Sequence, residues 1–536
     1  MMQNNDMNTE PAYAPQPGNM AQPGGLQQRP AAQPYNAYRP LVAPKPENMF
    51  KPDVTDLLFA LATFVIGYLF SRWVFFRWQG WGVTVFTTAY LLTATAYLAR
   101  KGAFISSVAT WFWLAVTWLT GASYTLWSNS GFAAIKALFL FCSATYYVIT
   151  ASGSTLMGNT GNYLIADGFR TVVLIPFRNF FNQYVSFSVL AKGDKRGKAL
   201  PTILGILVGL ILLIILIPLL ERADSGGFGI IVRFLTDFYI TNILEFIGYV
   251  LLAIPVAAYI YGLISGAAHK KGTDLIKPES ATKTVAAMRV IHPLTIYIAL
   301  GAVCGLYLVF ILSQTPYFFS AFNGRRPEGW IIYSEYARRG FFELCGIAAI
   351  NLVILTIGNL TCKKCRLDSR AMMLYNILLS VITLVLIATA FSKMALYIGA
   401  YGLTMRRLLP CILMACMALV FVALIVLQER NFSIVRFALV TGAIMICILS
   451  LSNPDAMVVR YNADRYLSGT LPTFDTEILY RSGSAGVIPA LEVYGKTQDQ
   501  ELKNQIEAYL YAPGIYGESH ELNLEIMQAR KAIESK

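Results

Sequence analysis

The sequence predicts an all-α protein: a polytopic integral membrane helical bundle of about eleven transmembrane helices, followed by a small α-helical C-terminal module. Three observations carry this expectation. Of 536 residues, 56% are hydrophobic and only 14% charged, whereas a soluble domain has about a quarter of its residues charged. The apolar residues come in runs close to the ~20 residues a helix needs to cross a bilayer. The lysines and arginines fall between those runs, where they set topology.

Residues 1–50 hold nine prolines among Gln, Asn, Ala and Gly. Such a segment buries too little apolar surface to offset the entropy of ordering, so it reads as a disordered Pro/Gln-rich cytoplasmic tail. It has no basic stretch leading into an apolar one and does not read as a cleaved signal. Spans are expected near 55–76, 81–99, 105–126, 131–151, 200–220, 239–265, 292–313, 341–360, 371–390, 409–428 and 436–452. Trp73, Trp78, Trp81 and Trp127 stand at the ends of the first three, as interfacial aromatics do.

With a cytoplasmic N-terminus, the inner loops hold 19 Lys and Arg and the outer loops 11. That bias places the chain in the cell membrane with its C-terminal module outside. The net charge of +13 then serves topology and anionic lipid on the cytoplasmic side. Nucleic acid is not an expected partner, because no soluble segment offers a basic face interleaved with aromatics.

Within 177–190, Phe177, Phe180, Phe181 and Tyr184 recur at helical spacing, with Arg178, Asn179, Asn182, Gln183 and Ser186 opposite. This predicts an interfacial helix lying in the membrane plane beside the basic cluster 192–198. The segment 228–238 reads similarly on the other side. The C-terminal module, 453–536, carries 12 acidic and 8 basic residues. Thr497 and Gln500 have capping-box spacing, and Leu502, Ile506, Tyr509 and Leu510 follow on one face. Ser519 is placed to cap a last helix bearing Leu522, Ile526, Ala529 and Ile533. So thin a core should dock on the bundle.

Asn453-Pro454-Asp455 closes the last apolar run. Pro454 has no N–H and disfavours helical geometry at Asn453, so the helix should stop there and Asn453 or Asp455 should cap the next. Arg460, Tyr461, Asn462 and Arg465 follow within four turns. The stretch reads as an exit hinge pinning the module to the loops at 333–339 and 393–407. Arg406 and Arg407 should lie on the same side of the membrane, near Glu335 and Arg339. Arg460 should pair with an acid such as Glu335 or with lipid phosphate.

Residues 333–344, 392–407 and 453–462, with Glu521-Leu-Asn-Leu524 and Ala529-Arg530, resemble a bacterial multi-pass membrane family catalogued as domain of unknown function 4173, related to number 4153. The resemblance covers roughly 200–536; Met405-Arg406 and Gly486-Val487 depart from its pattern. It implies an integral membrane protein and supplies no activity, substrate or catalytic residue.

Candidate chemistry is sparse. Cys362-Lys-Lys-Cys365 has half the ligands of a zinc site, and the histidines, His269, His292 and His520, include no matching pair. The two thiols read as free. Ionisable or amide groups inside spans are default functional suspects: Lys136, Glu245, Glu343 and Asn351, with Lys393 and Asn376. Lys136 and Glu245 lie near span ends, where they can snorkel, and Glu343 is one turn from Arg339. The Gly262/Gly266 spacing, like Gly205/Gly209 and Gly301/Gly305, reads as close helix packing. No phosphate-cradling loop, cofactor motif or nucleophile elbow appears. The reading preferred is an envelope binding, scaffold or sensory protein whose module meets a protein partner. A transporter or channel for a small solute is the alternative, and it needs broken helices or a repeat at the midplane. A membrane-embedded enzyme, which needs convergent polar groups, comes third.

Overall fold

The computed structural model describes residues 50–75, 79–156, 161, 163–190, 241–272, 278–322, 333–363, 369–430, 432–512 and 522–535, with isolated positions between 205 and 220. The tail 1–49, the segments 192–198 and 228–238, most of the 200–220 run, Trp78, Cys365, Ser519 and His520 lie outside the described residues.

Helices follow where the apolar runs predict them. In chain order they are α1 (Val54–Trp73), α2 (Trp81–Arg100), α3 (Val108–Leu126), α4 (Ala133–Ala151), the short α5 (Leu164–Phe169), α6 (Ile175–Arg178) and α7 (Asn182–Ser186), α8 (Thr241–Ala268) and α9 (Pro278–Ala287). Then come α10 (Pro293–Phe322), α11 (Tyr333–Thr361), α12 (Arg370–Tyr401), α13 (Met405–Val426) and α14 (Ile434–Leu451). The described residues form no strand. Nine of these helices are long and apolar enough to cross a membrane: α1, α2, α4, α8 and α10 to α14.

The third expected span, α3, is missing from the nine because Trp111, Trp113, Trp118 and four threonines lower its hydropathy. It nevertheless runs the length of its neighbours. At one end Ile105 N donates to Ala151 O, and at the other Trp127 Nε1 donates to Leu451 O. Threonines are tolerated there because a hydroxyl can bond a backbone carbonyl of its own or a neighbouring helix; Thr110 Oγ1 reaches Thr150 O of α4 in this way.

α1 to α4 and α8 share one core, containing Phe59, Leu98, Trp113, Ile149 and Leu263. α10 to α13 share a second, around Leu300, Leu379, Leu386 and Phe421. α14 packs on both α13 and α3, joining the two sets. Backbones meet at Gly67, where a Cβ would lie 2.6 Å from Ala253 O, so only glycine allows α1 this close to α8. At the end where α1 begins, Asp53 and Asp56 cap that helix reciprocally. Buried Asp56 also accepts from Tyr97 (2.7 Å) and Lys101 (3.0 Å), and His269 Nε2 lies 4.0 Å away.

The segment 177–190 is not one interfacial helix. After a π-helical turn (Arg170–Leu174), the end of α6, a turn at 179–181, α7 and a 3₁₀ turn (Phe187–Leu190) replace it. Its aromatic side faces outward as expected, with Phe177 60% and Phe181 62% exposed. Of its polar side, Arg178 stays exposed, while Asn179, Gln183 and Ser186 are buried against the bundle. Gln183 Nε2 donates to Ala60 O (3.1 Å) and Thr63 Oγ1 (3.2 Å), the Ser186 and Tyr261 hydroxyls hydrogen-bond each other (2.7 Å), and Asn179 donates to Ile175 O and Lys271 O. Irregular backbone near a bilayer must find partners inside the protein, and these amides supply them. Gly262 and Gly266 seat the segment: a Cβ at Gly262 would lie 2.4 Å from Pro176 O.

The module consists of α15 (Pro454–Leu467), α16 (Glu477–Ser482), α17 (Val487–Lys496), α18 (Gln500–Leu510) and α19 (Leu524–Glu534). Val458, Leu479, Val487, Val493, Ile506, Tyr509 and Ala529 form its core, and Leu403, Met405 and Leu408 pack against that core from the bundle. Leu502, Ile506, Tyr509 and Leu510 are all buried. The cap of α18 is Asp499, which accepts from Glu501 N and Leu502 N, while Thr497 accepts from Asp499 N. The carboxylate, two residues nearer, wins because it can accept from two amides at once. Asn523 caps α19. The module sits at the end where α4 begins and α14 stops, opposite the first turn of α1.

Candidate functional site

The exit from α14 is built as its residues predict. α14 ends at Leu451, Pro454 is the first residue of α15, and Asn453 between them adopts a left-handed conformation (φ 49°) that asparagine tolerates. Asn453 Oδ1 accepts from Ala456 N at 3.2 Å. Asp455, second residue of α15, accepts from Gly131 N at 3.0 Å, tying the module to the turn before α4.

The same local pattern recurs 70 residues later. Asn523 caps α19 by accepting from Ile526 N (2.9 Å), and Glu525 is its second residue. Glu525 accepts from Ser484 Oγ (2.5 Å) and from Asn453 Nδ2 (2.8 Å), so the acid of one helix start is bonded to the cap of the other. Asn523 Nδ2 reaches Ser128 Oγ (2.9 Å), and Asn129 Nδ2 reaches Ser450 O (2.9 Å). Two Asn-x-acid helix starts thus meet the turn 127–132 of the bundle. The positive ends of both helix dipoles favour the two carboxylates.

Lys136, in the first turn of α4, completes this centre. It is fully buried, with Nζ 3.8 Å from the centroid of the Tyr124 ring. Among the described residues Nζ has no hydrogen-bond partner. Asp455 and Glu525 are the two acids whose charges act on it. Lys136 does not snorkel, because the docked module covers the end of the bundle where it would emerge. Burial pushes the Asp455 carboxyl up to about 6, with the nearby Glu525 charge adding to the shift and the Gly131 N–H and Lys136 opposing it. Burial also raises Glu525 above the usual carboxylate range, against the bonds from Ser484 and Asn453. Glu525, Ser484, Ser128, Asn523 and Tyr124 were not readable as site residues, since each is unremarkable in its own segment. The repeated Asn-x-acid spacing at 453 and 523 was the one available signal.

Beside the centre, Asn462 clamps the 402–404 turn, accepting from Leu403 N and donating to Leu403 O, both at 2.7 Å. Arg465 Nη1 donates to Ile398 O (3.1 Å), and its guanidinium lies 5.8 Å from the Tyr461 ring. Arg407 donates to Tyr401 O and Gly402 O and stacks 4.1 Å over Tyr397. Arg406 and Arg407 therefore lie on the module side. Arg460 pairs with Glu492 (3.2 Å) inside the module, both belonging to helices that pack together there. The side chains of Glu335 and Arg339 lie outside the described residues.

The remaining intramembrane groups are occupied locally. Tyr249 donates to the exposed Glu245. Lys393 rests against Gly340, one turn from Glu343, the acid that acts on it. Asn351 accepts from Tyr307 OH (2.8 Å) and donates to Thr383 Oγ1 (3.0 Å), while Asn359 and Asn376 exchange two bonds. Buried Cys362 is a free thiol.

Apolar helices of spanning length, carrying a helical module clamped to one end by buried charge, define a polytopic integral membrane protein. The chain belongs to the family described as domain of unknown function (DUF4153), whose profile matches residues 114–493. The match begins within α3, well ahead of residue 200, and bears the number 4153 instead of 4173. No curated protein and no solved structure matches the chain.

Proposed function

We propose that this protein is an envelope binding protein, its N-terminal end cytoplasmic and its ligand met outside, at the seam between bundle and module. One observation carries the reading: a cleft of about 560 Å³ at that seam, with Phe342, Met394 and Tyr397 on the bundle side and Asp455, Asp475, Glu477 and Arg481 on the module side. Arg406 and Arg407 stand between them. The locked charge centre holds the two walls in a fixed relation, as a binding site requires.

Transport would call for a polar path near the middle of the bundle. A cavity of about 630 Å³ does lie between α1, α2, α4 and α8, but its walls are apolar side chains such as Phe86, Leu140, Phe177 and Val256. Lys136, Glu245 and Asn351 line neither cavity. The test uses proteoliposomes offered protons, sodium and amino acids. A binding protein gives no flux above empty vesicles; flux abolished by Asn351→Leu would make the chain a transporter. For orientation, Arg460→Cys in intact cells should react with a membrane-impermeant maleimide.

A further inference from the structure

Most charges in the seam cleft are already committed. Arg481 is paired with Glu477 at 2.6 Å, Arg407 is engaged with two backbone carbonyls and the Tyr397 ring, and Asp475 accepts from Glu477 N. Two groups stand apart. Arg406 is exposed and, among the described residues, makes no ion pair or hydrogen bond, although its charge acts on Glu477 across the cleft. Asp455 is 1% exposed, and while Oδ2 takes the Gly131 N–H, Oδ1 has no partner. That oxygen lies at the cleft wall: a Cβ added to Gly131 would sit 2.4 Å from both Asp455 Oδ1 and Met405 Cγ, and all three residues line the cleft.

A buried acceptor without a donor is costly and marks a place that a ligand donor can fill. A buried carboxylate oxygen without a donor and an exposed guanidinium in the same cleft call for a zwitterion. The cleft lies where α11 and α12 reach the end of their apolar length, the depth at which lipid headgroups would meet the bundle, and Phe342 and Met394 line it on the bundle side. We propose that this cleft binds a primary ammonium–phosphate zwitterion, the chemistry of phosphoethanolamine, with the ammonium on Asp455 and the phosphate on Arg406. Arginine suits the phosphate because its planar fork gives paired donors, and a primary ammonium supplies the donor that Asp455 Oδ1 lacks.

This deepens the binding reading above and rests on it. The experiment uses the full-length protein in two arms. In the first, nanodiscs of phosphatidylethanolamine and phosphatidylglycerol are compared for retained lipid by native mass spectrometry. In the second, soluble phosphoethanolamine is titrated calorimetrically. Retention of phosphatidylethanolamine alone identifies a lipid headgroup as the source; binding of the soluble compound identifies a free one. Either arm should lose about tenfold in affinity in Arg406→Gln and in Asp455→Asn, the loss of one charge-assisted bond. Arg460→Gln, outside the cleft, should bind as the parent does. Binding in neither arm, equal retention of phosphatidylglycerol, or unchanged affinity in Arg406→Gln overturns the assignment. Arg406 makes no hydrogen bond or ion pair among the described residues and its one charge neighbour, Glu477, is exposed, so its variant tests the ligand with little effect on the fold. Hydrogen exchange of 454–467, followed in parallel, separates the two ideas. A protected seam that binds neither probe rejects the zwitterion alone, whereas an unprotected seam in the parent protein rejects the docked binding protein.

Discussion

Replacing Lys136 by methionine keeps length and apolar contact while removing the basic group of the charge centre. Asp455 and Glu525 stay buried beside it, held by Gly131 N–H, Ser484 and Asn453. Stripping one partner from a buried set of charges costs about 3–5 kcal/mol, because the remaining charge has lost its compensation. At about 1.4 kcal/mol per decade, the undocked population of the module should rise about two to three and a half orders of magnitude. The penalty depends on pH. Asp455 rises from an ordinary 3.8 to about 6 on docking, so docking is strongest below pH ~4 and loses about 3 kcal/mol as pH climbs through 6. Glu525 shifts in the same direction. Without the Lys136 amine both acids favour their neutral forms more strongly, so acidification should rescue Lys136→Met. The assay is hydrogen exchange of 454–467 and 524–534 in nanodiscs at pH 5.5 and 7.5. Fast exchange at pH 7.5, slowed at pH 5.5 or by adding Glu525→Gln, is the expected result. Unchanged protection at pH 7.5, or a deficit that deepens in acid, would refute the coupling.

Asn462→Ala removes both bonds to Leu403 and should cost about 2 kcal/mol, seen as faster exchange at 402–408 with the rest of the bundle unaffected. Gly262→Ala places a methyl group 2.4 Å from Pro176 O; it should lower the yield of folded protein and expose Asn182 to cysteine labelling once substituted, and normal yield would disprove the close seat. Phe181→Cys should resist a membrane-impermeant thiol reagent while reacting with a lipid-soluble one. Equal reaction with both would place that face in water. Asn351→Leu strands Tyr307 and Thr383 and should lower thermal stability by about 1–3 kcal/mol, leaving seam binding intact.

The apolar runs determined the helices of the bundle and their order, because a bilayer accepts only long segments that satisfy their own backbone. Even α3, too rich in tryptophan and threonine to pass on hydropathy, was legible from its length and position. Asn453-Pro454-Asp455 predicted its own geometry, since the missing proline N–H and the asparagine cap act within four residues. The segment 177–190 shows where local pattern stops. Its helical spacing was real, but an amphipathic face can turn either way, and acceptors inside the bundle, Ala60 O and Thr63 on α1 and Lys271 O, took its amides inward. Lys136, Asp455 and Glu525 lie far apart in sequence, in three segments that each make sense alone. Only packing the module onto the bundle brings them together, because the field on a buried charge is set by whatever closes over it, and no local spacing records that.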